Sequence, residues 1–229
     1  AAFFFRLASE STQYPDFALK SLILLGKVYE EMGDYKAALD SYQSAMDRAS
    51  NVGKVNYARL LGDESLPGIQ HDTTKSLSLL NELVDEKDSF ALYVLGKLYM
   101  EGKNGLPKDE KKGVELLRES SELESPEGQY EFGMCLLNGT GVPRDLKAAR
   151  KLIEKSSSKN NLDAYYALAR IYKEGLGVKK DFSTAVTLLD NAAKNGLIKA
   201  GFQAGMYYLD KGKFKSAYKS FKSASEFGD

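Results

Sequence analysis

The chain of 229 residues carries 32 basic and 32 acidic side chains, so its overall charge gives no argument for a nucleic acid or an anionic membrane as partner. Cys135 is the only cysteine and His71 the only histidine, which excludes an intrachain disulfide and the Cys- and His-rich patterns of a zinc site. No apolar run approaches the roughly 18 residues that cross a bilayer, and the opening AAFFF is too short for the apolar core of a secretory leader.

In chain order, residues 1–14 read as the second helix of a hairpin, because Ala1, Phe5 and Ala8 precede Ala38, Tyr42 and Ala45 by 37 residues each. Residues 15–50 read as a tight helix pair, LILLGKVYEEMGDYKAALDSYQSA, turning through Gly33 and Asp34. Residues 51–88 fit the pattern least: Gly62 is followed by the longer ESLPGIQHD before TTKSLSLLNELV resumes a helix. Three regular units follow, 89–125, 126–161 and 162–197, and a shorter hairpin over 198–229.

The period is explicit. Ala91, Gly128, Ala164 and Ala200 step by 37, 36 and 36 residues, and Gly96, Gly133, Ala169 and Gly205 step identically, which implies stacked helix hairpins. Small and apolar residues at i, i+4, i+5 and i+8, such as Ala91, Leu95, Gly96 and Tyr99, predict the first helix of each unit, helix A. KKGVELLRESSE, KAARKLIEKSSS, STAVTLLDNAAK and KSAYKSFKSASE predict helix B, with Gly113, Ala149, Ala185 and Ala217 at points of close approach. Asp109, Asp145 and Asp181 stand where a carboxylate accepts the free N–H groups of a first helical turn. The closing EFGD reads as the lead into a further helix A, so the chain is expected to be a fragment of a longer array or a processed protein.

Leu22, Leu25, Gly26, Tyr29, Ala38, Tyr42 and Ala45 sit at the spacing of the tetratricopeptide repeat, with Ser50 where that family usually has Pro. The longer units, with LG-x-x-Y-x-x-G, then G-x-G-V-x-x-D, then A-x-x-L-L-x-x-A-A, closely resemble the Sel-one-like repeat, a variant of the same hairpin with a longer loop. The resemblance implies an all-α fold, a right-handed α-solenoid of stacked antiparallel hairpins. It also implies a non-enzymatic scaffold or adaptor without cofactor, of the kind that serves membrane-associated complexes, protein quality control, mitochondrial assembly and stress signalling.

The best candidate for chemistry is the loop GLGVKKD (175–181), with counterparts GTGVPRD (139–145) and GKNGLPKD (102–109). A phosphate-cradling Gly loop follows a buried strand, whereas all three of these follow a helix. The first glycine is therefore expected to cap a helix at positive φ, the second to turn the chain, and Leu106, Val142 or Val178 to plug the gap between hairpins. Ser156 with Lys159 and Ser216 with Lys219 have the S-x-x-K spacing of some acyl-serine enzymes, but neither S-D-N nor K-T-G accompanies them. No convergent acid, base and nucleophile set exists, so no catalytic residue and no metal ligand is assigned. Asn138, Gly139 and Thr140 form an N-x-T sequon, expected on an exposed loop.

Stacked hairpins line an inner, concave wall mainly with helix A. In the family's register the inward stripe takes the positions three before, one after and four after the small residue. On this chain it comprises Ile23, Lys27 and Glu30; Tyr93, Lys97 and Met100; Tyr130, Met134 and Leu137; Tyr166, Arg170 and Lys173; and Phe202, Met206 and Leu209. Aromatic, Met and Arg side chains are those expected at protein-binding hot spots, while for Tyr93, Tyr130 and Tyr166 core packing is the competing expectation, because the family's pattern itself favours an aromatic there. Residues 151–229 hold 14 basic against 8 acidic residues, and Lys211, Lys213, Lys215, Lys219 and Lys222 form a basic patch suited to an acidic segment of a partner. A protein partner is expected, through the concave face or the repeat faces. RNA binding by the basic third and self-association through uncapped repeat ends are the alternatives, and the balanced charge counts against nucleic acid. The single cysteine favours a reducing compartment, cytosol or mitochondrion, over the secretory lumen.

Overall fold

The structure, a computed structural model, describes residues 2–11 and 14–226, without the side chain of Glu226. Ala1 of the expected opening helix and the closing residues 227–229 lie outside the described residues. Among those described are thirteen α-helices and no strand. They are α1 (Ala2–Ser9), α2 (Pro15–Glu31), α3 (Tyr35–Met46), α4 (Asn51–Gly62), α5 (Thr73–Asp85), α6 (Ser89–Glu101), α7 (Glu110–Glu122), α8 (Pro126–Asn138), α9 (Leu146–Ser158), α10 (Leu162–Glu174), α11 (Phe182–Lys194), α12 (Ile198–Asp210) and α13 (Phe214–Glu226). The chain forms two compact units, Ala1–Ser120 and Ser121–Asp229, in each of which sequential helices pack as antiparallel hairpins.

Four of the hairpins are joined by a large side chain of helix B resting on the small residue of helix A. Tyr42 lies over Gly26, Leu117 over Gly96, Ile153 over Gly133 and Phe221 over Gly205. A methyl group added to Gly133 would stand 2.8 Å from Ile153 Cγ1, closer than carbon atoms approach. The repeating small residues of the sequence are thus the seats for these knobs. In the first unit they feed two cores, one around Tyr42 and Leu60 and one around Leu80 and Leu95. In the second unit the cores centre on Ile153 and Leu168, and on Leu189 and Ala204.

Polar side chains fix the helix ends as the spacing predicts. Asp109 Oδ1 accepts the Lys112 N–H at 3.0 Å, Asp145 Oδ1 accepts those of Lys147 and Ala148 at 3.0 and 2.9 Å, and Asp181 Oδ1 accepts that of Thr184 at 3.1 Å. The Thr184 contacts hold the Asp181 carboxyl below the usual aspartate range. The irregular region 51–88 still makes a hairpin, α4 against α5, with the loop 63–72 pinned where the Asp72 N–H donates to the Leu61 carbonyl at 3.0 Å.

The glycine loops serve the packing. Gly175 closes α10 at φ 74° and Gly177 turns the chain at φ 68°. Val142 and Val178 pack against the Ile153 and Leu168 core, and Leu106 against that of Leu80 and Leu95. A methyl on Gly177 would lie 2.7 Å from Leu146 Cβ, so this loop rests on the first turn of the preceding helix B.

Candidate functional site

In the first unit most of the stripe is engaged within the chain. Glu30 accepts the Tyr42 hydroxyl at 2.5 Å and both its oxygens lie 2.7 Å from Arg59 Nη2, which ties α2, α3 and α4 together and removes Glu30 from any docking surface. Ile23 packs on the Tyr42 core, while Lys27 is exposed. Tyr93 stacks on Phe90 with ring centroids 5.8 Å apart and Lys97 lies 3.6 Å from Glu101. Met100 covers Gly113, where an added methyl would meet its Cγ at 2.7 Å.

The second unit is more open. Tyr130 and Met134 are half-buried against the Ile153 core. Leu137, expected on the stripe, is only 2% exposed. The 139–145 loop folds back on the end of α8, its Arg144 Nε–H donating to the Leu137 carbonyl at 2.9 Å, so this position is interior. Phe202, Met206 and Leu209 are exposed, at 53%, 46% and 40%, with the Phe202 ring 5.6 Å from that of Phe221.

Between α10 and α12 the chain leaves a cleft of ≈ 140 Å³ lined by Tyr166, Arg170, Lys173, Glu174, Gln203 and Tyr207 over a floor of Ala169 and Leu189. Spacings of four and three put Tyr166, Arg170 and Lys173 on one face of α10, and spacings of four put Lys199, Gln203 and Tyr207 on one face of α12. The two faces meet as rungs. Lys199 Nζ sits 5.5 Å from the Tyr166 ring centroid, and Lys173 Nζ sits 4.6 Å from that of Tyr207. The polar contact with Tyr207 raises the Lys173 pKa, so the ammonium stays charged. On the middle rung, Arg170 Nε is shut off from solvent and has no hydrogen-bond partner.

The sequence stripe supplied three members of this cleft, and it missed Gln203 and Tyr207, which line it, and Lys199, which lies over the Tyr166 ring. The signal for them was present: Gln203 and Tyr207 lie two residues either side of Gly205, a position that turns back towards the preceding hairpin. The basic patch is less uniform than its spacing suggests. Lys215, Lys219 and Lys222 are exposed on α13, but Lys211 lies 4.0 Å from Asp210 and 5.0 Å from the Phe182 ring centroid, and Lys213 stands in the turn between α12 and α13.

The S-x-x-K serines do not form nucleophile–base pairs with their lysines. Ser156 is buried and its hydroxyl donates to the Pro126 carbonyl at 2.6 Å, while Lys159 Nζ donates to the Glu124 carbonyl at 2.6 Å. Ser216 and Lys219 line a cleft of ≈ 240 Å³ between α11 and α13 in which Asp190 accepts from the Tyr208 and Ser220 hydroxyls, each at 2.9 Å. Asn138 is exposed at the end of α8. Among the described residues no group of three or more His, Cys, Asp or Glu side chains is gathered around a metal position, and no helix is long and apolar enough to cross a membrane.

Comparison with known proteins agrees with this architecture. Residues 89–125, 126–161 and 162–197 each match the Sel1 repeat model, and residues 21–55 match a tetratricopeptide repeat. No curated protein matches the chain in sequence. Among solved structures, a Sel1 repeat protein from Oxalobacter formigenes is similar at 24% identity and a TM-score of 0.69, over 90% of this chain and 85% of that one. The c5321 protective antigen of uropathogenic Escherichia coli, described as displaying an SLR fold, is similar at 21% identity and a TM-score of 0.65, over 99% of this chain and 48% of that one. The immunity protein Pa5087 from Pseudomonas aeruginosa is similar at 17% identity and a TM-score of 0.58, over 82% and 73%. At these identities the likeness is one of fold, an α-solenoid of stacked hairpins. With its repeats matched in place and its hairpins packed as theirs are, the chain belongs to the Sel1-like repeat proteins of the tetratricopeptide-like superfamily.

Proposed function

We propose that the chain is a non-enzymatic scaffold that binds a segment of a protein partner on its helix A face and so supports assembly of a larger complex. One observation carries this reading: the α10–α12 cleft is lined by two tyrosines, Arg170 and Lys173, with Lys199 over the Tyr166 ring, and among the described residues none of these three cations forms an ion pair. Tyr and Arg are the side chains that concentrate binding energy at interfaces. A small-molecule enzyme would need an enclosed pocket with convergent acid–base groups, and the cleft offers neither a histidine nor an activated nucleophile.

Panning a phage-displayed random peptide library on the chain tests the proposal. Peptides are expected to enrich on the unaltered protein and to be lost when Arg170→Glu and Lys173→Glu are combined, with the circular dichroism melt unchanged. Enrichment that survives the double substitution would contradict it.

A second reading, self-association, is favoured by the exposed apolar side chains of the last hairpin: Phe214 and Tyr218 of α13 are each 70% exposed, and Phe202 and Met206 of α12 are 53% and 46% exposed. Light scattering on dilution tests it, a concentration-dependent mass being the expected sign and a constant monomer mass the contrary one.

A further inference from the structure

We infer that the α10–α12 cleft recognises an acidic side chain of the partner segment, its carboxylate held by Arg170 with Lys173 and Lys199 to either side. The inference rests on the reading that the helix A face binds a protein segment, and it names the chemistry of that segment.

Three cations gather here with a single carboxylate, Glu174, on the cleft wall. Among the described residues none of Arg170, Lys173 and Lys199 is within ion-pair distance of a carboxylate, Glu174 included. Two other basic groups on helix A faces do have carboxylate partners: Lys97 has Glu101, and Arg59 reaches Glu30. The two lysines are spread apart by lying over tyrosine rings, Lys199 on Tyr166 and Lys173 on Tyr207, and between these rungs Arg170 Nε is buried without a hydrogen-bond partner. A donor held out of water without a partner is costly, and the cost is recovered when an acceptor arrives. A carboxylate has two oxygens at the separation of the guanidinium fork and a charge that relieves the mutual repulsion of all three cations.

The same features disfavour RNA. Bases bind single-strand readers by stacking on open aromatic faces, and here a lysine ammonium already covers a face of each tyrosine. The space, ≈ 140 Å³, suits one side chain and not a track of phosphates. Gln203, lining the cleft beside Arg170, adds an amide donor for the second carboxylate oxygen.

The test uses the full chain and three fluorescein-labelled probes of equal length: a twelve-residue Ser-Glu repeat peptide, its Ser-Gln counterpart and oligouridylate. Fluorescence anisotropy is expected to show the Glu peptide binding at least tenfold more tightly than the Gln peptide. Arg170→Met is expected to weaken it at least tenfold, Lys173→Met several-fold, and Lys151→Met, exposed on α9, not at all. Circular dichroism accompanies each variant, and the Lys173 arm stands if Arg170→Met fails to fold. Equal binding of Glu and Gln peptides, both lost with Arg170→Met, overturns the acidic preference and leaves the helix A face as a docking surface. Glu-peptide binding indifferent to both cleft variants overturns the site. Oligouridylate binding lost with Arg170→Met, in the absence of Glu-peptide binding, overturns the inference in favour of nucleic acid. Failure of every probe overturns it too, while the panning experiment decides the docking surface separately.

Discussion

Tyr42 occupies the space beside Gly26 and sends its hydroxyl on to Glu30, so one residue couples the packing of a hairpin to a polar network shared with α4. Gly26→Ala would drive a methyl into the Tyr42 ring, which is fully buried and pinned at its far end, and is expected to cost about 1–3 kcal/mol in urea unfolding. An unchanged urea midpoint would show that the ring can yield. Burial, and then hydrogen bonding to Glu30, push the Tyr42 phenol upward; burial and the bond to Asp190 raise Tyr208 to about 12. Because the folded state favours the protonated phenols, their contribution is complete below pH about 10, the value of an unfolded tyrosine, and is lost as pH rises through the folded values. The difference in urea stability between the parent and Tyr208→Phe is therefore expected to hold steady up to pH about 10 and to narrow towards pH 12. A difference that is flat across that interval would contradict the assignment. The seats at Gly26 and Gly133 are visible in the sequence because they repeat; the Glu30–Arg59 pair is not, because its partners stand 29 residues apart and out of the repeat's register.

At the scale of the helix, the caps are the most readable feature, since a carboxylate at the point where a helical pattern begins has one obvious use. Asp145→Ala removes the acceptor for two backbone N–H groups of α9 and is expected to cost about 1 kcal/mol in thermal or urea unfolding. The exits of the helix B elements were not foreseen. Ala49, Lys87, Glu124 and Asn160 follow α3, α5, α7 and α9 at φ of 59°, 59°, 62° and 63°, a conformation that strains a side chain. Ala49→Gly is accordingly expected to raise stability by a few tenths to about 1 kcal/mol, the relief of strain outweighing the greater freedom of the unfolded chain; a lower urea midpoint would contradict this. No turn-forming residue type marks Ala49, Lys87 or Glu124 in the sequence, since the local conformation is imposed by the next helix packing back. The glycine loops, by contrast, were legible as spacers because three copies follow helices, and the structure adds that Gly177 seats the loop on Leu146.

For the whole molecule, the repeat period implies hairpin stacking and helix order, because a hairpin with one apolar face buries it by stacking on its neighbour. The division into two compact units was not visible, as the repeats run through it in unbroken register. The binding site was half visible. A helix A stripe names Tyr166, Arg170 and Lys173, but one-helix periodicity cannot say that Lys199, Gln203 and Tyr207 face them, nor that Glu30 and Leu137 are spent inside the fold. The measurement that bears most directly on the central claim is an amide chemical-shift map of the chain titrated with a panned peptide. The account predicts that the perturbed residues cluster on α10 and α12 around Tyr166, Arg170, Lys173, Gln203 and Tyr207. Perturbations confined to the glycine loops at 102–109, 139–145 and 175–181, or to helix B surfaces, would contradict it.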